Sequence, residues 1–213
     1  MSIINFPSPP NLPLSPLEFD SRYQEGLNNV MRLYFNRISG TFQSVLGPDG
    51  GQYINNPFGT FISTQDQTAA NTTTAYAITL SSTTASNGVT LVSGSRVTFG
   101  YSGDYNIQFS VQLSNSTNAP QDVDIWFRKN GSDIANSNSR FGLAARKSVG
   151  DPFHLIGTVN LIESFNADDY VQLYWRTSDV GAYIEYYAAP STPTRPAIPS
   201  VILTATFVSS ITG

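Results

Sequence analysis

Between Tyr105 and Leu113 the chain alternates strictly. Tyr105, Ile107, Phe109, Val111 and Leu113 are apolar, and Asn106, Gln108, Ser110 and Gln112 between them are polar. A period of two predicts a strand with one dry face and one wet face. After a Ser-, Asn-, Thr- and Pro-containing connection a second run alternates, with Val123, Ile125 and Phe127 on one side and Asp122, Asp124, Trp126 and Arg128 on the other. Asn130-Gly131 closes it with the pair that best accepts the positive φ angles of a tight hairpin turn. Residues 60–64, 74–80, 95–99, 152–163, 169–177, 181–187 and 201–208 are further strand candidates, whereas the Ser/Asn-rich stretch 132–150 reads as a connection. About eight to ten strands with no helical period between them predict an antiparallel sandwich or jelly roll over residues 60–213.

The pattern ahead of that domain is different. Pro7, Pro9, Pro10, Pro13 and Pro16 deny residues 1–16 regular hydrogen bonding and predict an extended arm. Ile3, Ile4, Phe6, Leu12 and Leu14 are interleaved with them, more large apolar groups than a linker carries, so the arm is expected to lie on a neighbouring protein. A helical segment follows over residues 17–45. Its period runs from Leu17 to about Ser39, with Ser15 as N-cap, Pro16 in the first turn and Gly40 as a natural stop. Leu27, Met31, Tyr34 and Ile38 are spaced four, three and four, the seam of a coiled coil, and Val30, Leu33 and Phe35 widen it. Such a stripe needs cover, either from its own sandwich or from two further copies in a three-helix stalk; self-association is the expectation. Residues 46–59, rich in Gly, Pro and Asn, read as a linker.

Composition narrows the function classes. Of 213 residues, 40% are hydrophobic, so a large core is possible. Only 12% are charged, about half the usual share, and such a neutral surface suits a component of an assembly. A net charge of −4 argues against nucleic acid, where affinity comes from Lys and Arg on phosphates. The absence of cysteine removes disulfides, thiolate nucleophiles and Cys-based zinc sites together. No apolar run reaches the roughly twenty residues needed to span a bilayer, and the N-terminus shows no signal-peptide pattern, so neither membrane insertion nor secretion is expected.

Candidate chemistry is thin. His154, the sole histidine, sits in a Phe-His-Leu-Ile run that reads as strand packing. Asp122 with Asp124, and Asn166 with Asp168 and Asp169, supply two or three oxygens each, short of a calcium shell. Tyr174, Trp175, Tyr183, Tyr186 and Tyr187 form an aromatic concentration whose first reading is a subunit interface, ahead of plain core and of carbohydrate stacking. No catalytic residue, cofactor or metal site is expected.

Three segments carry a resemblance. Gly103-Asp104-Tyr105-Asn106-Ile107-Gln108-Phe109-Ser110 resembles the GxYxxxFS strand of C1q/TNF-like jelly rolls. Lys129-Asn130-Gly131 resembles the hairpin after the next strand, and Asp168-Asp169-Tyr170-Val171-Gln172-Leu173 the GD-x-V-x-L strand, with Asp168 where the family has glycine. The segment from Tyr23-Gln24 to Asn36 is similar to a helix common in virion proteins of tailed bacteriophages of the marine and cyanobacterial type. The combination implies a phage structural protein: a mostly β chain with a C1q/TNF-like jelly-roll head, usually trimeric, behind a Pro-rich arm and one N-terminal helix. The expected function is a non-enzymatic capsid decoration, cement or head-fibre protein. It would be made in the host cytoplasm and carried on the outer surface of the virion. Its expected partners are two copies of itself and other virion proteins, a major capsid protein or a tail adaptor. Leu27, Met31, Tyr34, Ile38, Tyr183 and Tyr186 are the expected oligomer contacts, and Ile3, Ile4, Phe6, Leu12 and Leu14 the attachment arm. The alternative is a short tail fibre whose head recognises a host surface glycan.

Overall fold

The computed structural model describes residues 7–12, 14, 16–46 and 56–210. It divides into two units, Met1–Asn55 and Asn56–Gly213. Ile3, Ile4, Phe6, Pro13, Ser15 and most of the expected linker lie outside the described residues.

In the first unit, helix α1 spans Ser21–Leu46. It starts later than the sequence period indicates because Asp20 is the cap. The Asp20 carboxylate accepts from the Arg22 amide at 2.8 Å, and its carbonyl accepts from Gln24 N at 3.1 Å. It also runs through Gly40, the expected stop. A mid-helix glycine costs about 1 kcal/mol against alanine, and Thr41 and Val45 continue the four-and-three spacing beyond it. Tyr23, Leu27, Val30, Met31, Tyr34, Ile38 and Thr41 are half-buried, while Leu33, Phe35 and Phe42 are exposed. The expected seam is thus the least exposed line of the helix. Ser8, Pro9, Pro10 and Asn11 border a groove of about 330 Å³ against Val30, Leu33, Tyr34 and Arg37.

The second unit is a sandwich of two antiparallel sheets. Its strands are β1 (Phe58–Ser63), β2 (Tyr76–Ala77), β3 (Ser82–Asn87), β4 (Val89–Val92), β5 (Arg96–Phe99), β6 (Gly103–Asn115) and β7 (Gln121–Lys129), then β8 (Ser132–Asp133), β9 (Ser139–Leu143), β10 (Phe153–Phe165), β11 (Tyr170–Thr177), β12 (Ala182–Ile184) and β13 (Val201–Ser209). Sheet one has the order β10-β6-β13-β1-β3, with β12 also on β6. Sheet two has the order β4-β5-β11-β7-β8, with β2 on β11 and β9 on β7. Setting aside the accessory strands β2, β3, β4, β8 and β12, the first remaining strand pairs the last (β1·β13). The second then pairs the seventh (β5·β11), the third the sixth (β6·β10) and the fourth the fifth (β7·β9). That is one long antiparallel hairpin rolled onto itself, the topology of a jelly roll.

The core lies where the alternation places it. Tyr105, Ile107, Phe109, Val111 and Leu113 of β6 and Val123, Ile125 and Phe127 of β7 are all at most 1% exposed. Phe109 meets Phe127 across the sandwich with ring centroids 5.6 Å apart. At one end Phe99 stacks on Phe165 at 4.0 Å and packs against Tyr105 at 4.4 Å, and the Tyr105 hydroxyl donates to Tyr101 O. Gly103 is required there, because a Cβ would lie 2.4 Å from the Phe207 ring. The hairpin signal holds as well: Asn130 and Gly131 have φ of 50° and 84°.

Strands β3, β4, β8 and β9 were not expected, and the 74–80 candidate shrinks to Tyr76–Ala77. β3 is exposed almost throughout and is held by its ladder to β1, so no apolar period marks it. β9 lies inside the Ser/Asn-rich stretch and offers Phe141 and Leu143 to the core around a glycine.

Candidate functional site

The two sheets present very different outer faces. On sheet one the wet positions of β6 carry Asp104, Asn106, Gln108, Ser110 and Gln112, and the same row ends in the buried Ser114. The facing positions of β10 and β13 add Thr158, Asn160, Thr204 and Thr206, together with four bare aliphatics, Ile156, Ile162, Ile202 and Val208. Ile156 and Ile162 are 58% and 60% exposed. The only carboxylate on those strand positions is Asp104, held below the usual range by hydroxyl bonds from Ser164 and Ser209. The result is a nearly uncharged surface.

A polar cluster closes one end of this face. β12 lays the 182–187 segment along β6, opposite Ser114. There the Glu185 carboxylate accepts from the Ser114 hydroxyl and from the Tyr187 hydroxyl, the latter at 2.6 Å. His154 Nδ1 lies 2.8 Å from Ser114 Oγ and 2.7 Å from Tyr187 OH. Each hydroxyl has one proton and gives it to Glu185, so the arrangement that satisfies every group has Nδ1–H donating to the hydroxyl oxygens. A base activating a serine needs the reverse, a ring lone pair facing the hydroxyl. Ser114 is also 1% exposed. The cluster fastens the 182–187 segment to the sheet. Burial, followed by the Glu185 hydrogen bond, pushes the Tyr187 hydroxyl far up.

Sheet two faces water with charges and rings. Arg140 on β9 and Arg176 on β11 both donate to Asp124 on β7, each through Nε at 2.8 Å. Asp124 is 4% exposed. Burial raises its pKa, and the two guanidinium groups more than reverse this, leaving it below the usual carboxylate range. Both oxygens point at cations, so Asp124 is a salt-bridge centre and not a calcium ligand. One step along, Trp126 lies beside Tyr174 with centroids 6.1 Å apart. Arg128 covers Tyr174 at 3.9 Å and pairs with Asp133, and Arg96 covers Tyr170 at 4.6 Å. Between Trp126 and the β8–β9 loop lies a cavity of about 280 Å³ lined by Asp124, Trp126, Asp133, Ile134, Asn136, Asn138 and Arg176.

The residues singled out in the sequence separate accordingly. Leu27, Met31, Tyr34 and Ile38 share one line of α1, and Leu12 and Leu14 are exposed. Tyr183 and Tyr186 sit half-exposed beside the polar cluster, and Tyr186 N donates to Asp66 at 2.7 Å. Trp175 belongs to the core, whereas Tyr174 belongs to the outer face of sheet two. Asp169 accepts from the Asn130 side chain and the Asn166 amide and pins two turns together. Asp168 has φ of 69°, a left-handed conformation that glycine adopts without strain. Among the described residues no group of three or more His, Asp or Glu is placed to hold a metal ion, and no helix is long and apolar enough to cross a membrane. The exposed isoleucines escaped the sequence reading, although the doublets Leu155-Ile156 and Leu161-Ile162 break the alternation and mark a strand apolar on both faces.

No protein-family model matches the chain, and no curated protein matches it.

Proposed function

We propose that this chain is a non-enzymatic structural component of a tailed-phage virion, a homotrimer whose C1q/TNF-like head is attached to the particle through its N-terminal segment. The observation that carries the reading is the outer face of sheet one, an aliphatic, hydroxylic and amide surface with almost no charge. Exposed apolar surface of that kind marks a contact in an assembly. The α1 stripe supports the same reading from the other unit, since a single helix leaves Leu27, Met31, Tyr34 and Ile38 without full cover. Burial of apolar area at roughly 25 cal/mol per Å² drives such contacts, and threefold valency strengthens a weak arm contact. The arm engages a major capsid protein or a tail adaptor on the outer surface of the particle.

Mass by light scattering and copy number in purified particles test this together. Three chains per molecule and copies on the order of hundreds per virion support a capsid decoration. A few to a few dozen copies move the protein to the tail. A monomer at micromolar concentration overturns the trimer, and absence from particles overturns the virion assignment.

A further inference from the structure

The cavity on sheet two has the build of a small polar-ligand site, and we infer that it binds a neutral pyranose, the terminal ring of a glycan. One wall is an aromatic plane already fixed in place: Trp126 Nε1–H donates to Asp133 Oδ1 at 2.7 Å, which locks the indole before any ligand arrives. The opposite wall is equally fixed. Ser137, 5% exposed, accepts from Phe127 N at 3.1 Å and donates to Ile134 O at 2.8 Å, holding the loop against β7.

The rim groups of this loop are unspent. Among the described residues, the side-chain amides of Asn136 and Asn138 have no hydrogen-bond partner, and both are exposed. Arg176, which also lines the cavity, bonds Asp124 through Nε and keeps its terminal nitrogens as further donors. Asp133 accepts through Oδ1 and keeps Oδ2. Carboxylate, amide and guanidinium together offer acceptors and donors around a ring of hydroxyls, with an indole for its apolar C–H face. At about 280 Å³ the space falls just below the roughly 300–1,000 Å³ range of small-molecule sites, room for one ring. Charge selects the ligand class: Asp124 and Asp122 face Arg140 and Arg176, and Asp133 faces Arg128, so three carboxylates match three guanidinium groups and no net charge is left over to demand an ionic partner.

This inference is independent of the trimer and virion reading, since the cavity lies within one chain. The test is saturation-transfer NMR and tryptophan fluorescence on the full chain with D-glucose, D-galactose, D-mannose and N-acetyl-D-glucosamine, and with D-glucuronate as the charged control. At least one neutral sugar is expected to bind with millimolar affinity and to change the emission of Trp126, Trp175 being buried. Trp126→Ala, and independently the exposed-loop pair Asn136→Ala/Asn138→Ala, should weaken it by about tenfold or more. No saturable neutral-sugar binding, binding of glucuronate alone, or unchanged affinity in the folded loop variant would each overturn the assignment. A chain that is monomeric yet binds sugar refutes only the assembly reading, and a trimer that binds none refutes only this one.

Discussion

The outer face of sheet two covers itself, and the outer face of sheet one does not. On sheet two the guanidinium groups of Arg96 and Arg128 lie over the Tyr170 and Tyr174 rings, and Asp124 gathers Arg140 and Arg176. The guanidinium groups shield the rings and present charge to water in their place, so that face is finished as a solvent surface. On sheet one, Ile156, Ile162, Ile202 and Val208 stand among threonines, serines and amides that cannot reach over them. Among the described residues, Arg128–Asp133, Arg140–Asp124 and Arg176–Asp124 all lie on the outer face of sheet two, so the low charge content is felt most on the strand positions of sheet one.

Both faces hang on a single core, and the largest expected effect breaks them together. Phe109 of sheet one and Phe127 of sheet two touch across the sandwich. Phe109→Ala should cost about 3–5 kcal/mol, and urea unfolding followed by far-UV dichroism and by tryptophan fluorescence should shift by the same amount. Two separated transitions would show that the sheets are stabilised independently.

The next effect concerns sheet two alone. Asp124→Asn leaves two guanidinium groups without their shared anion. Because both arginines are about half exposed, the loss should be about 1–3 kcal/mol at neutral pH. The folded pKa of Asp124 is lowered, so its stabilisation is complete above the unfolded value of about 3.9 and disappears as pH falls through the folded value. The gap between native chain and variant should therefore close on acidification. Asp104, Asp133 and Asp169 also titrate low, but they are common to both proteins and cancel in the difference. A gap independent of pH would assign the loss to packing.

How much of this was legible in the chain depends on how far each interaction reaches. Period-two runs revealed β6, β7 and their core because each strand carries its own evidence, and the Asn130-Gly131 turn is equally local. Asp168 gains its meaning only from its positive φ, which marks a position where the backbone demands what glycine and, less comfortably, aspartate supply. The helix start was misplaced for a local reason too: Asp20, five residues beyond the expected cap Ser15, accepts from the Arg22 amide and caps the helix. The polar cluster was invisible, since His154 and Glu185 lie 40 and 71 residues beyond Ser114 in the chain. The same holds for Asp124, whose arginines lie 16 and 52 residues away. Seen alone, Asp122 and Asp124 resembled half a calcium site.

The smallest effect on stability is the one that most sharply separates the two faces. Ile156 and Ile162 are already more than half exposed in the isolated chain, so replacing both with lysine removes little burial. Each change should stay within about 0.5 kcal/mol, and the neighbouring polar positions, Gln112 and Asn106, carry no positive charge to repel the new ammonium groups. If that surface is the contact between copies, the same double variant should behave very differently in association, because two lysines per chain would have to be desolvated without partners. The expected result is a melting midpoint close to that of the native chain together with a fall in mass from trimer toward monomer in light scattering. Arg140→Ala on sheet two, an equally exposed change on the self-covered face, should leave the mass unaltered. If mass survives the lysines and falls with the arginine, then sheet two is the contact, and the pairing of charge with aromatic rings on it serves a partner and not the solvent.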